Sequence, residues 1–551
     1  MISRPWRAAV LAAVITLVGV VGLSACAGGP ADEIDYAVDG TLVTYNTTTV
    51  AGAASAGPQA FARVLTGFNY HGPEGQVVGD RDFGTIAVVG RAPLVLDYQI
   101  SDDAVYSDGK PVTCDDMVLA WAAQSGRFPG FDAASRAGYG DVASVDCAPG
   151  QKKARVSFAQ DRGFVDYGQL FAATTLLPSH VIADELGAGD GAVTTALQTG
   201  DLPTIDRIAQ LWNTVWNLTP DLDLKRFPSS GPYKLSSVSD DGAVVLVAND
   251  KWWGAKAVTG KITVWPRGAD VQERVNSGDY DVVDVAAGSS GTLNLPSDYV
   301  RTDSPSAGVE QLIFAPSGPL LNPAARRALA LCTPRDHIAQ NAEVPIANSR
   351  LNPTAEDSIT AAESAAEGGR FSTSDPVAAR EALGGNPLTV RIGYQSPNAR
   401  LAATVGTIAR ACEPAGITVA DASSDAVGPE TLRDNQIDVL IASTGGSAGS
   451  GSTGSSAMDA YDLFSGNGNN LSGYANEQVD GVIGSLAVTA DPKELARLLG
   501  EGAPVLWDDM PTLPLYRQQR TLLTSTKMTA VSSNPTRWGA GWNMDRWALA
   551  R

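Results

Sequence analysis

The chain has 551 residues, with 40 Lys and Arg against 60 Asp and Glu, a formal net charge of −20. Hydrophobic residues make up 44% and charged residues 18%, the balance of a folded globular chain rather than a disordered one. So acidic a chain, with no basic run or interleaved aromatic platform, excludes a nucleic-acid role, because phosphate binding needs clustered Lys and Arg.

At about 100–200 residues per domain, the length predicts two to four structural units. Arg4 and Arg7 are the only charges before Asp32, and an apolar stretch runs from Ala8 to Leu23. That stretch is short for a membrane span, which needs about 20 residues, and fits the apolar region of a signal peptide. Leu23-Ser24-Ala25-Cys26 then resembles the lipobox of bacterial lipoproteins, and Ala27 to Ala31 reads as a flexible tether. The resemblance implies cleavage before Cys26 and lipidation of its thiol. An ordinary secretory signal with an incidental cysteine is the alternative.

A short strand pattern follows within residues 35–50, ending in the polar run Tyr45-Asn46-Thr47-Thr48-Thr49. Leu94 to Ile100 is rich in β-formers. Thr113 with Asp116 has the spacing of a capping box opening a helix through Trp121. Ala154 to Phe158 is a strand, and Ile205, Ile208, Leu211, Trp212 and Val215 recur at helical spacing. Val244 to Ala248, Lys261 to Trp265, Asp281 to Ala286 and Leu312 to Phe314 are further strands, and Ala324 to Leu331 is a helix.

Residues 345–376 are polar and Pro-rich, a surface excursion. Leu388 to Tyr394, Leu401 to Cys412 and Ile417 to Asp421 form a βαβ unit. Ile437 to Ala442 is a strand leading into the Gly/Ser-rich run Ser443 to Ser456. Val479, Val482, Ile483 and Leu486 share one helix face. Pro492 to Trp507 is a helix, and Pro511 to Tyr516 a strand. The whole is a mixed α/β chain.

Beyond Cys26 four cysteines remain, Cys114, Cys147, Cys332 and Cys412. In an exported chain an even number predicts disulfides; three connectivities are open, and proximity favours Cys114–Cys147 with Cys332–Cys412. A zinc site needs close pairs or partnering histidines, and neither is present, so no metal or cofactor is expected.

Three histidines, His71, His180 and His337, leave little for general acid–base chemistry. Gly445-Gly446-Ser447-Ala448-Gly449 fits the nucleophile-elbow pattern, but it lies inside the Gly/Ser run and no histidine follows it. Carboxylate pairs such as Asp102-Asp103, Asp115-Asp116 and Asp240-Asp241 read as turns or helix starts. The chain is not expected to be an enzyme.

Several ordered segments resemble the family 5 extracellular solute-binding proteins of ABC importers. Val95 to Ile100 leading into Tyr106-Ser107-Asp108-Gly109-Lys110-Pro111 is similar to that family's strand followed by aromatic-Ser-Asp-Gly-x-Pro. Leu177-Pro178-Ser179-His180 is similar to its Leu-Pro-x-His step. Ser230-Gly231-Pro232-Tyr233, with Asn249 and Trp252-Trp253-Gly254, resembles a third block. Ala325-Arg326-Arg327-Ala328, Arg335-Asp336, Gly473-Tyr474-Ala475-Asn476 and Met510 to Tyr516 complete the series. The match covers most of residues 36–550.

The resemblance implies a two-lobed, three-subdomain fold of the type II periplasmic-binding-protein kind, hinged and closing on ligand. It places a first lobe at 35–310 with an inserted subdomain at about 60–190, a second lobe at 311–504, and a return to the first from 505. It implies a monomer that captures oligopeptides or peptide-like solutes and delivers them to ABC permease subunits. With residues 1–25 as signal peptide and 26–34 as tether, the expected place is the outer face of the cell membrane, held by lipid on Cys26.

Tyr45, Asn46 and Thr47 fall where the family's first strand reaches the cleft. Ser443, Thr444, Gly445 and Gly446 replace the family's aromatic-containing segment, and are either a cleft edge or a flexible surface loop. Asp459 and Asp462 are the candidates for holding a ligand ammonium, with a helix-start role as the alternative for Asp459. A non-peptide ligand (glycopeptide, sugar or metal chelate) and a non-transport scaffold remain open.

Overall fold

The computed structural model describes residues 33–268, 270–351 and 368–550. The expected signal peptide, the candidate lipidation residue Cys26 and part of the 345–376 excursion lie outside the described residues. The core is a ten-stranded mixed sheet. Across it the order is Ile417–Asp421, Leu388–Gly393, Val439–Ala442, Tyr299–Phe314, Thr512–Ser525, Val282–Ala286, Glu33–Val38, Lys261–Trp265, Val244–Ala248 and Tyr233–Val238.

Two long strands join the halves of this sheet. Tyr299–Phe314 and Thr512–Ser525 run antiparallel from Tyr299↔Ser525 to Ile313↔Thr512. Thr512–Ser525 pairs at one end with Val282–Ala286, and Tyr299–Phe314 pairs at the other with Val439–Ala442. Their register slips between Pro305 and Val309 and again at Glu310 to Gln311. Such irregularities bend a strand pair and raise its local twist.

The expected strands Leu312 to Phe314 and Pro511 to Tyr516 are the ends of these long ones. Their polar middles pair because buried ions neutralise one another there. Arg520 Nε donates to Asp284 Oδ1 at 2.9 Å, and Arg400 Nη2 donates to Glu310 Oε2 at 2.7 Å. The βαβ unit forms as read: Leu388–Gly393 is parallel to both Ile417–Asp421 and Val439–Ala442, and helix Ala399–Cys412 makes the crossover.

A separate four-stranded antiparallel sheet, Gly84–Arg91, Leu94–Ile100, Lys153–Phe158 and Val142–Asp146, builds the inserted region. Along its second strand Leu94, Leu96, Tyr98 and Ile100 point inward at period two. Gly109 sits at φ +91°, a left-handed turn that lets Asp108 Oδ2 reach His180 Nε2 at 2.9 Å. Asp116 accepts the Thr113 amide at 3.1 Å, closing the helix start, and its other oxygen takes the Ser179 amide and hydroxyl at 2.8 and 2.7 Å. Two sequence blocks far apart in the chain are therefore one docking joint.

Disulfides close between Cys114 and Cys147, and between Cys332 and Cys412. The second ties helix Pro323–Cys332 to helix Ala399–Cys412. With both sulfurs bonded, the cluster Cys114, Asp115 and Cys147 offers no thiolate to a metal. The Asp115-Asp116 pair opens a helix as expected but is buried rather than solvated, because Ser179, Thr113 and Gly150 donate to it.

Candidate functional site

Between the lobes lies a cavity of about 650 Å³. One wall comes from Thr41, Thr44, Thr49, Ser55, Asp132 and Asn217, the other from Gln395, Asp425, Gly428, Pro429, Glu430 and Gly446. Hydroxyls, amides and the carboxylates of Asp132, Asp425 and Glu430 are interspersed with Val43, Ala51, Ala54, Ala426, Val427 and Ala448.

The walls are held together across the gap. Arg267 pairs with Asp39 on its own side, and its guanidinium also donates to the carbonyls of Gln395 and Ala448 opposite, each at 3.2 Å. Gln395 Nε2 donates to Thr41 Oγ1 at 3.2 Å. At the rim, Arg433 Nη1 meets Asp132 Oδ1 at 3.2 Å. Deeper in, Asn469 N donates to Ala134 O at 2.7 Å, and Gly468 lies so close to Ala133 O that an added Cβ would stand 1.9 Å away.

Two small cavities of about 40 Å³ each lie beside Thr444 and Gly445, and Gly446 lines one of them as well as the large cavity. Thr444, Gly445, Asp459, Asp462 and Asn469 line both. Gly445 and Gly446 have φ of 69° and 74°, a conformation that excludes most side chains. Asp459 is saturated: Ser452 Oγ donates to one oxygen at 2.5 Å, and Thr453 N and Oγ1 donate to the other at 3.0 and 2.7 Å. Asp462 accepts the Gly445 amide at 2.7 Å.

Burial raises the Asp459 carboxyl, and burial together with the Asp459 charge pushes Asp462 well above the usual carboxylate range. Burial also pushes the Arg537 guanidinium down to about 10, offset by these two carboxylates.

The sequence-chosen residues divide. Gly446 lines the large cavity, and Thr444, Gly445, Asp459 and Asp462 line only the two small ones. Ser443 is fully buried behind them, and the Gly/Ser run is packed interior at Ser443, Ser447, Ser450, Ser452 and Ser455. That corrects the flexible-loop alternative; the run is compact because its hydroxyls bond to its own backbone amides, to the Pro535 carbonyl and to the Asp166 and Asp459 carboxylates.

Tyr45, Asn46 and Thr47 are turned away from the cavity, a correction to their expected place on the cleft. Tyr45 OH bonds Ser229 Oγ at 2.9 Å and its ring packs on Phe61 and Phe227. Asn46 Nδ2 donates to Trp212 O at 3.0 Å, and Thr47 Oγ1 to Thr174 O at 3.0 Å. Their neighbours Thr44 and Thr49 reach the cavity instead. Sequence reasoning missed Arg267, Gln395 and Gly428-Pro429-Glu430 at the start of helix Pro429–Arg433. The Gly-Pro pair alone signalled a possible wall, since glycine admits close backbone approach.

Residues 92–462 match the family described as bacterial extracellular solute-binding proteins, family 5 Middle. The chain belongs to that family, a class of substrate-binding rather than catalytic proteins. It is 70% identical over 540 residues to an uncharacterized lipoprotein of Mycobacterium tuberculosis, covering 97% of this chain and 96% of that one. An oligopeptide-binding protein, OppA, of the same species is 29% identical over 194 residues, 35% of this chain and 28% of its own. In fold the chain is similar to the oligopeptide-binding protein AppA of Bacillus subtilis, solved with a nonapeptide. The TM-score is 0.74 at 16% identity, covering 95% of this chain and all of that one.

Proposed function

We propose that this chain is the lipid-anchored binding component of an ABC importer, taking peptide-like solutes into the interlobe cleft for a membrane permease. The observation that carries the reading is the cleft itself. A cavity of about 650 Å³ has a wall from each lobe, and backbone carbonyls of one lobe serve as acceptors for side chains of the other. Such a wall recognises an extended main chain through hydrogen bonds while leaving room for varied side chains. Membership in the family, the lipobox ending at Cys26 and the lipoprotein relative support export and anchoring.

In this mechanism the first lobe, residues 35–310 and 505–551, and the second, 311–504, separate about the two long strands where their register slips. Ligand touching both walls favours the closed arrangement, and the permease reads closure. Hydrogen bonds and ion pairs hold the cleft edges, and behind them Val50 of the first lobe packs with Val427, Leu432 and Leu471 of the second, so opening also exposes apolar surface. Binding, with no chemical step, is the activity.

The test is native mass spectrometry on a soluble Cys26→Ser form beginning at that residue, followed by denaturation and identification of whatever is released. A ladder of peptides is the expected result. A single non-peptide species overturns the ligand class. An empty protein that shows no change in small-angle scattering with a peptide library overturns the importer role.

A further inference from the structure

The edge strand of a sheet carries a row of backbone N–H and C=O groups that no neighbour takes up, and proteins guard such edges with charge, proline or a covering element. The two larger sheets of this protein have four edge strands. Three of them are guarded or turned inward. Ile417–Asp421 ends in Asp421, and Val142–Asp146 ends in Asp146 and buries Val142 and Val145. Tyr233–Val238 carries Lys234 and buries Tyr233, Leu235 and Val238.

The fourth, Gly84–Arg91, has neither protection. None of its 8 residues is buried. No charge or proline occurs from Gly84 to Gly90, and Val89 is 52% exposed. Its neighbour in the sheet is Leu94–Ile100 alone.

The bonding pattern shows which groups face outward. Ser101 N donates to Phe83 O at 2.9 Å, whereas Ile100 N turns the other way, to Lys152 O at 2.7 Å. Polar groups alternate along an antiparallel pair, so Thr85 and Ala87 bond inward, toward their partners Gln99 and Asp97. Ile86 and Val88 then hold their N–H and C=O toward the open edge. Their side chains stand across from Tyr98 and Leu96 and stay half-buried, because no strand lies beyond them.

We propose that this edge pairs with the same edge of a second copy, joining the two four-stranded sheets into one across a two-fold axis. The monomer that the family resemblance implies is then one half of the assembly. The strand's register slips between Val88 and Gly90, so its straight part is Gly84 to Val88, centred on Ile86. Antiparallel pairing about Ile86 sets Gly84 against Val88 and Thr85 against Ala87. The two Ile86 side chains meet across the axis and lose their remaining exposure.

Charge favours the same surface. The chain carries −20, so two copies repel each other at long range. The edge itself is neutral and is flanked by Arg81, Asp82 and Arg91, which makes it a place where two acidic copies approach with little repulsion. A pairing this short covers less than the roughly 1,200–2,000 Å² of stable complexes, so the association is weak and reversible.

The test is sedimentation velocity of the Cys26→Ser form from about 1 to 500 µM, a span suited to weak association. The sedimentation coefficient is expected to rise from that of a monomer toward that of a dimer. Ala87 is exposed, and Ala87→Lys puts a charge beside the axis. That variant is expected to keep its Tm and to stay monomeric throughout. Thiol cross-linking reads the geometry. Two Ala87→Cys copies hold their thiols about 8 Å apart and should be joined by a short bismaleimide, whereas two Arg91→Cys copies stand about 30 Å apart and should not.

A protein that is monomeric across the range and gives no Ala87→Cys cross-link overturns the inference. So does a dimer that survives Ala87→Lys or cross-links equally at both positions, because another surface then holds it. If Ala87→Lys fails to fold, the two cysteine variants decide.

Discussion

Replacing Arg267 by Ala should unlatch the cleft without touching ligand. The Arg267 side chain is 6% exposed and that of its partner Asp39 is fully buried. Two effects separate. Within the first lobe, Asp39 loses its cation and keeps the Ala286 amide as a donor, and breaking a buried pair costs about 3–5 kcal/mol of folding stability. Between lobes, the bonds to the Gln395 and Ala448 carbonyls disappear. Taking about 1.5 kcal/mol for each charge-assisted bond, the closed arrangement loses about 3 kcal/mol, roughly a 100-fold change in its population. Small-angle scattering of the ligand-free Cys26→Ser form should show a larger radius of gyration for Arg267→Ala, and urea unfolding an earlier midpoint. Arg433→Ala is the control. Its pair with Asp132 is 35% and 42% exposed, so its loss costs at most about 1 kcal/mol. If Arg267→Ala matches the unsubstituted protein in both assays, the latch reasoning is wrong.

Three further outcomes follow from the same contacts. Replacing Cys332 and Cys412 together by Ser opens a cross-link spanning 80 residues and should lower unfolding stability by about 4.5 kcal/mol. Denaturant titration with and without reductant measures it, and an unchanged midpoint would contradict the pairing. Gly468→Ala drives a methyl into Ala133 O and should loosen the 467–469 contact with 133–136 at a cost of about 1–3 kcal/mol. Faster proteolysis of the ligand-free variant is the readout, and equal rates would refute it.

Asp462→Asn tests pH dependence. The folded carboxyl is raised above its unfolded range, so its favourable contribution is complete at low pH and is lost as pH rises through the folded value. Asn keeps an acceptor for the Gly445 amide and cannot ionise. The variant should therefore gain in Tm over the unsubstituted protein on going from about pH 4 to neutral. Parallel Tm curves across that range would refute the assignment.

Local chemistry made much of this protein legible in one dimension. The capping box at Thr113, the βαβ unit from Leu388 to Asp421 and the apolar helix faces need only residues a few positions apart, and those rules act on near neighbours. Ordered blocks such as Ser107-Asp108-Gly109 and Leu177-Pro178-Ser179-His180 were readable as a family series, though not as one joint. The pairing of Asp108 with His180 joins positions 72 residues apart.

Tertiary structure alone decided the long strands and the cleft. The expected strands stop short of Glu310 and of Arg517 to Arg520, yet these segments pair in the middle of the sheet, because Arg400 and Asp284 arrive from elsewhere in the chain to neutralise their charges. The same holds for the walls. Tyr45, Asn46 and Thr47 had suitable chemistry for ligand, but Ser229, Trp212 and Thr174 claim them first. Arg267 carries no local sequence signal for its bonds to the Gln395 and Ala448 carbonyls. A side chain's type is written in the sequence, whereas its partner, or the lack of one, exists only once distant segments have packed.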